Sequence, residues 1–390
     1  MDFSLSNEQH LIKKSVTELA SQYDVEYWRK KDLGGERPDE FLQHLAKDGW
    51  LSICLPEEYG GAGLGLLEAS MVIDAATSQG GGTGVGVFLL RIFSFGSVVL
   101  LRRGSKTQKD AFLEKIGKGQ LDFALSLTEP NAGTNTLGIR TQAERVGKEF
   151  VIKGEKVFTS GLDRADYVVV AARTTPLDKA PKRTFGITLF ILPAKDPAIK
   201  FKPIQLVGHR MESTFEVQYQ NVHVTEENVL GEVDHGWDCL LDILNPERIC
   251  TCAMCVGTGD RVLKLAVDYA CSRTVFESPI GSYQSIQHPL AEAYSNLEVA
   301  RLMNYKAAWL FDKRKPCGEA ANIAKLRGAE AAWAACDCAL QTFGGYGYTN
   351  EVEIERHWRD LRLYKIAPVS QQMALNFIGE HVLNLPKSYH

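Results

Sequence analysis

The chain has 390 residues, 45% of them hydrophobic and 24% charged, with a net charge of −4 and an isoelectric point near 6.2. That balance describes an ordinary globular protein long enough for two or three packed regions. It gives no reason to expect nucleic acid or an anionic membrane surface as partner, and no apolar run approaches the ~20 residues a membrane helix needs.

The opening Met1-Asp2-Phe3-Ser4 runs almost at once into a helical pattern. That leaves no room for a signal or transit peptide, so the expected location is cytoplasmic. Ser6 suits an N-cap, and Ile12, Val16 and Leu19 then recur at helical spacing. Pro38-Asp39-Glu40 opens another helix with Phe41, Leu42 and Leu45 on one face, ended by Gly49. A turn follows at Leu55-Pro56-Glu57-Glu58-Tyr59-Gly60-Gly61.

Near Phe123 the pattern changes to short β-rich runs: Phe150-Val151-Ile152, Tyr167 to Val170, and Ile187 to Ile191. Phe215, Val217 and Tyr219 alternate with polar residues, as in a strand with one buried face. Gly147-Lys148 and Gly154-Glu155 read as turns, and Asp178 to Arg183 as an exposed loop. After Gly236 the helical period returns, with Leu290, Tyr294 and Leu297 on one face and an alanine-rich stretch from Ala320 to Leu340. The expected plan is therefore α+β: a helical region over 1–122, a β domain over 123–234 and a helical region over 235–390.

Cys250, Cys252 and Cys255 cluster, as do Cys336 and Cys338. Both clusters lie in helix-patterned stretches, where a Cys-x-Cys pair points its thiols ~200° apart. They lack the turn residues and paired knuckles of a zinc site, so they read as small packing residues and no metal is expected.

Three segments carry chemistry. They are Leu127-Thr128-Glu129-Pro130-Asn131-Ala132-Gly133-Thr134-Asn135, the run from Val151 to Gly161, and Gln341-Thr342-Phe343-Gly344-Gly345-Tyr346-Gly347. In order, spacing and wording they resemble the acyl-CoA dehydrogenase family of flavoenzymes over essentially the whole chain. The resemblance implies that family's architecture: an N-terminal helical domain, a middle β-barrel-like domain and a C-terminal four-helix bundle. It implies FAD as cofactor, an acyl-CoA substrate and an electron-transferring flavoprotein as acceptor. It also implies a homo-oligomer, usually a dimer of dimers, hence a homotetramer.

Residue by residue, the resemblance puts Leu127 and Thr128 beside the pyrimidine end of the flavin, and Thr134 near both the flavin and the substrate's phosphopantetheine arm. Phe158 matches a flavin-packing aromatic, commonly Trp, and Ser160 a hydroxyl near N5. Arg273 and Phe276 match residues that reach the FAD of a neighbouring subunit, where a guanidinium fork suits a pyrophosphate. Gln341, Gly344 and Gly345 match the adenosine-pyrophosphate segment, where missing Cβ atoms admit phosphates. Ser370, in the C-terminal loop, is also assigned to the cofactor.

Many members of the family keep the base that removes the substrate's α-proton in the loop matched by Ile366-Ala367-Pro368-Val369-Ser370. Here that position is Pro368, which neither accepts a proton nor offers a backbone N–H. Glu247, in Asn245-Pro246-Glu247-Arg248, matches the base of the isovaleryl-CoA dehydrogenase-like sub-group, with Arg248 beside it on the substrate side. A carboxylate removed from water is what α-proton abstraction requires, although a glutamate at a helix start is also an ordinary structural feature. Other readings stay open: a catalytically impaired subunit of a hetero-oligomer, an enoyl-CoA reductase, or a flavin oxidase or monooxygenase that acts without CoA. A DNA-binding relative would want a basic C-terminal region, and the final forty residues are not strongly basic.

Overall fold

Residues 4–387 are described by the computed structural model, and the expectation drawn from Met1-Asp2-Phe3 falls outside them. Three helices come first: α1 (Asn7–Ala20), α2 (Val25–Gly34) and α3 (Asp39–Lys47). Ser6 caps α1 by accepting from the Gln9 N–H at 3.2 Å, and Ile12, Val16 and Leu19 are buried. In α3 the buried face is Phe41, Leu42 and Leu45, as the spacing predicts.

Leu66 to Arg103 then forms one long helical run: α4 (Leu66–Ala76), α5 (Gly82–Leu90) and α6 (Val99–Arg103), joined by π turns at Thr77–Gly81 and Arg91–Val98. This corrects the sequence reading, because the run is long and apolar enough to cross a membrane. Its most apolar window is 89% buried inside the protein, so it is a core helix by packing. Helix α7 (Lys106–Gly117) closes the N-terminal region.

The middle region is an eight-stranded sheet of β1 (Phe123–Ser126), β2 (Gln142–Val146), β3 (Glu149–Ser160), β4 (Tyr167–Arg173), β5 (Ile187–Pro193), β6 (Ile199–Ile204), β7 (Thr214–Thr225) and β8 (Val229–Leu230). The order is β6-β7-β3-β2-β4-β5-β8, and β1 pairs in parallel with β4. Alternation explains why β4 and β5 read as unbroken apolar runs. Val168, Val170, Phe190 and Leu192 enter the sheet's own core, while Val169, Ala171, Leu189 and Ile191 enter the core shared with the helices. Gly154 is not a turn: it lies inside β3, where a Cβ would meet Thr141 Oγ1 at 2.5 Å.

The C-terminal region has three long helices, α8 (Gly236–Ser272), α9 (Gln284–Asp312) and α10 (Gly318–Phe343), followed by α11 (Ile354–Leu363) and α12 (Gln371–His381). Between α8 and α9 runs a two-stranded hairpin of β9 (Thr274–Val275) and β10 (Ser278–Pro279). Leu290 and Leu297 are buried on α9, but Tyr294 is 57% exposed, so Ala293 and Ala300 complete that face instead. Helices α8 and α10 approach closely at Gly328, where a Cβ would meet Cys252 Sγ at 2.6 Å.

Candidate active site

Glu247 lies about three turns into α8, not at its start, so the helix macrodipole has little hold on it. Pro246 just before it has no N–H to offer the preceding turn, and Ser94 from the Arg91–Val98 π turn donates its hydroxyl to Ile243 O there at 2.7 Å. Burial pushes the Glu247 carboxyl up to about 7, against the opposing pull of Arg248 and Lys325. Arg248 donates from Nη1 to Asn245 Oδ1 at 3.0 Å, while its buried Nε has no hydrogen-bond partner among the described residues. Burial also lowers that guanidinium and pushes the Cys250 thiol well up.

The C-terminal loop reaches this cluster through a lysine that sequence reasoning missed. Lys325 on α10 donates from Nζ to Val369 O, and burial pulls its ammonium down to about 8. Its signal was available: in the alanine-rich stretch, position 325 falls on the helix face that buries Ala321, Ala329 and Ala332. Pro368 is exposed beside it. Ser370 spends its hydroxyl as the N-cap of α12, accepting from the Met373 N–H at 3.3 Å.

Leu127, Thr128, Phe158 and Ser160 come together where β1 meets β3. The Val157 N–H donates to Thr128 O at 2.8 Å, and the fully buried Lys156 donates to Leu127 O at 2.8 Å and to Glu129 Oε1 at 3.0 Å. Glu129 also accepts from the N–H groups of Arg140 at 2.7 Å and Thr141 at 2.9 Å. Burial opposes its charge, yet these partners keep Glu129 below the usual carboxylate range, whereas burial takes Lys156 down to about 8. A register shift between Lys156 and Thr159 gives Phe158 a positive φ of 59° and turns its ring outward, 60% exposed. Ser160 shares a hydrogen bond with Thr214 Oγ1 at 2.8 Å, and Thr134 is exposed on the loop.

One element fastens this loop to Glu247. The π turn from Arg91 to Val98 sends Arg91 Nε to Phe123 O at 3.2 Å, at the start of β1, and Ser94 to α8. Arg91 is buried and ion-paired with Asp122 and Glu212, so a charge cluster joins the N-terminal helices to the sheet.

The remaining expected residues form a separate group. Tyr269 near the end of α8 stacks on Phe343 at 4.2 Å, bringing Arg273 and Phe276 to the same end of the bundle as Gln341, Gly344 and Gly345. The β9–β10 hairpin holds Phe276 at φ 50° and 89% exposed. Arg273 lies 26 residues beyond Glu247 along α8, a rise of about 39 Å. The first group fits the ring end of a flavin: an outward aromatic over a loop of fixed peptides. The second is the group that the resemblance matched to the adenosine-pyrophosphate end, and its surface is open: a Cβ at Gly344 or Gly345 would meet nothing within 4 Å.

Comparison with known proteins agrees along the whole length. Models of the acyl-CoA dehydrogenase N-terminal, middle and C-terminal domains match residues 6–120, 124–222 and 234–383. The chain is 37% identical to the acyl-CoA dehydrogenase FadE12 of Mycobacterium tuberculosis over 391 aligned residues, 99% of each chain. It superposes on butyryl-CoA dehydrogenase from Megasphaera elsdenii with a TM-score of 0.92 at 30% identity, covering 98% of this chain and 100% of the other. It also superposes on PigA, solved with FAD and proline, with a TM-score of 0.93 at 25% identity, covering 99% and 100%.

Proposed function

The chain belongs to the acyl-CoA dehydrogenase family of FAD-dependent oxidoreductases, and on that premise we propose that it converts an acyl-CoA thioester to the 2,3-enoyl-CoA with Glu247 as the α-proton base. The observation that carries this reading is the placement of Glu247, half-buried on α8 with Arg248 and Lys325 as its neighbouring cations, where burial pushes its carboxyl up to about 7. A carboxyl poised there is largely ionised just above neutrality and yet basic enough to take a proton from a polarised thioester. When bound, FAD supplies the acceptor for the β-hydride. Leu127, Thr128, Phe158 and Ser160 would hold its ring, with the Lys156–Glu129 pair fixing their loop.

Pro368 cannot polarise the thioester carbonyl. The next N–H along the loop, that of Val369, has no acceptor among the described residues and is the donor assigned here. The base on α8 groups the chain with isovaleryl-CoA dehydrogenase-like enzymes. The separation of Arg273 and Phe276 from Glu247 supports a homotetramer in which one subunit completes the neighbour's cofactor site. An electron-transferring flavoprotein as acceptor and a cytoplasmic location belong to the same reading, and nine free cysteines suit a reducing compartment.

Anaerobic mixing with a panel of acyl-CoA thioesters is the direct test. The purified protein should be yellow with non-covalent FAD, and at least one thioester should bleach it. A flavin that no acyl-CoA bleaches would favour the second reading, a catalytically impaired subunit, which the missing N–H at Pro368 also supports. Arg273→Ala should loosen FAD and reduce the size of the assembly together. Unchanged flavin content with unchanged size would remove the shared-site argument.

A further inference from the structure

Lysine is among the costliest side chains to bury, yet Lys325 is 1% exposed in the middle of an alanine-rich helix. Its ammonium forms no ion pair among the described residues, and the hydrogen bond it makes is to Val369 O. A cation kept dry for one loop carbonyl calls for a use. We propose that Lys325 is a positioning residue of this site, clamping the Val369 end of the C-terminal loop to α10 while holding a positive charge beside Glu247. The proposal rests on the reading of Glu247 as the base.

The clamp follows from peptide geometry. The C=O and N–H of a trans peptide point in opposite directions, so turning Val369 O toward α10 turns the Ser370 N–H away from it. The rest of the loop is already tied: Ile366 and Ala367 donate to Leu363 O at 2.7 and 3.0 Å, and Ser370 caps α12. Lys325 fixes the piece between those anchors, where Pro368 offers no N–H donor of its own. The close contact of Gly328 with Cys252 keeps α10 near enough to α8 for the same ammonium to act on Glu247.

The charge argument has a definite sign. Arg248 and Cys250 face Glu247 from α8 and Lys325 from α10, while Glu247, Arg248 and Cys255 face Lys325 from α8. Burial raises the carboxyl and the two cations oppose it. Losing Lys325 leaves Arg248 alone, so Glu247 should hold its proton to higher pH.

The test uses the FAD-loaded protein with Lys325→Met and Lys325→Gln beside wild type and Glu247→Gln. Infrared difference titration reads the protonated Glu247 carboxyl, identified as the band missing from Glu247→Gln. Trypsin cleavage after Lys365 reads the loop. Both Lys325 variants should move the carboxyl midpoint up by about one unit, the lower end of what loss of an adjacent opposite charge does. Cleavage should quicken several-fold in Lys325→Met and less in Lys325→Gln, whose amide can still donate to Val369 O. An unchanged midpoint in both variants, or unchanged cleavage in Lys325→Met, overturns the proposal. If the methionine variant does not fold, Lys325→Gln carries both readouts. Neither needs turnover, so a wild type that no acyl-CoA bleaches would defeat the dehydrogenase reading and still leave Lys325 to be judged.

Discussion

Two buried lysines hold the two loops of the site, and they are held differently. Lys156 fastens the Leu127 loop inside a closed set of partners: Glu129 within 3.0 Å, a carbonyl at 2.8 Å, and two backbone N–H groups completing the carboxylate. Lys325 fastens the Val369 loop without an ion pair among the described residues, and burial holds the nearby carboxyl of Glu247 at about 7. A buried carboxylate with all its partners is a fastener whose charge is settled. One with neighbouring charges but no direct partner remains free to take up and release a proton near neutrality. The fixed loop suits a bound cofactor, and the unsettled one suits the reacting carbon.

The strongest way to break that contrast is Glu247→Gln. The amide keeps the shape and one acceptor, so fold and FAD content should survive, while bleaching by a good acyl-CoA should slow by about 10²–10⁴. Substantial bleaching in this variant would mean that another group is the base. Lys156→Met attacks the other side. It strands Glu129 as a buried charge, which should cost about 3–5 kcal/mol of stability and lower FAD content, both measurable by denaturant unfolding and absorbance. A variant as stable and as yellow as wild type would show that the Lys156–Glu129 pair is no fastener.

The pH dependence sharpens the contrast further. If Glu247 is the base it must be deprotonated to act, and burial pushes its carboxyl up to about 7, so the bleaching rate should reach a plateau above that pH. Below it the rate should fall about tenfold per unit. A rate flat from pH 5 to 8 would contradict this. The smallest effect is expected from adding Pro368→Glu to Glu247→Gln, which should restore part of the lost rate if a carboxylate in the loop can reach the same proton. Restoration that requires Lys325 would tie the loop's placement to its clamp.

Much of this could be read along the chain. The order of helices, sheet and helices follows from apolar periods near 3.6 and 2.0, which hold locally whatever the rest of the molecule does. Glu247 was singled out as the candidate base through its motif and through the missing carboxylate at Pro368. The misreadings differ in cause. Leu66 to Arg103 was passed over although its own apolarity and length meet those of a membrane helix, and the surrounding helices and sheet make it a core element. Tyr294 has the right spacing for the buried face of α9 but points out of it, and Gly154 has the residue type of a turn but serves a close approach to Thr141.

By itself, then, the sequence determined the elements, the family motifs and the candidate base, because propensity, periodicity and short motifs act over a few residues. Tertiary structure decided what those residues face. Lys156 meets Glu129 across 27 positions and Lys325 meets Val369 across 44. Whether a charge is paired, stranded or poised to titrate depends on solvent exclusion by distant segments, which no local pattern encodes.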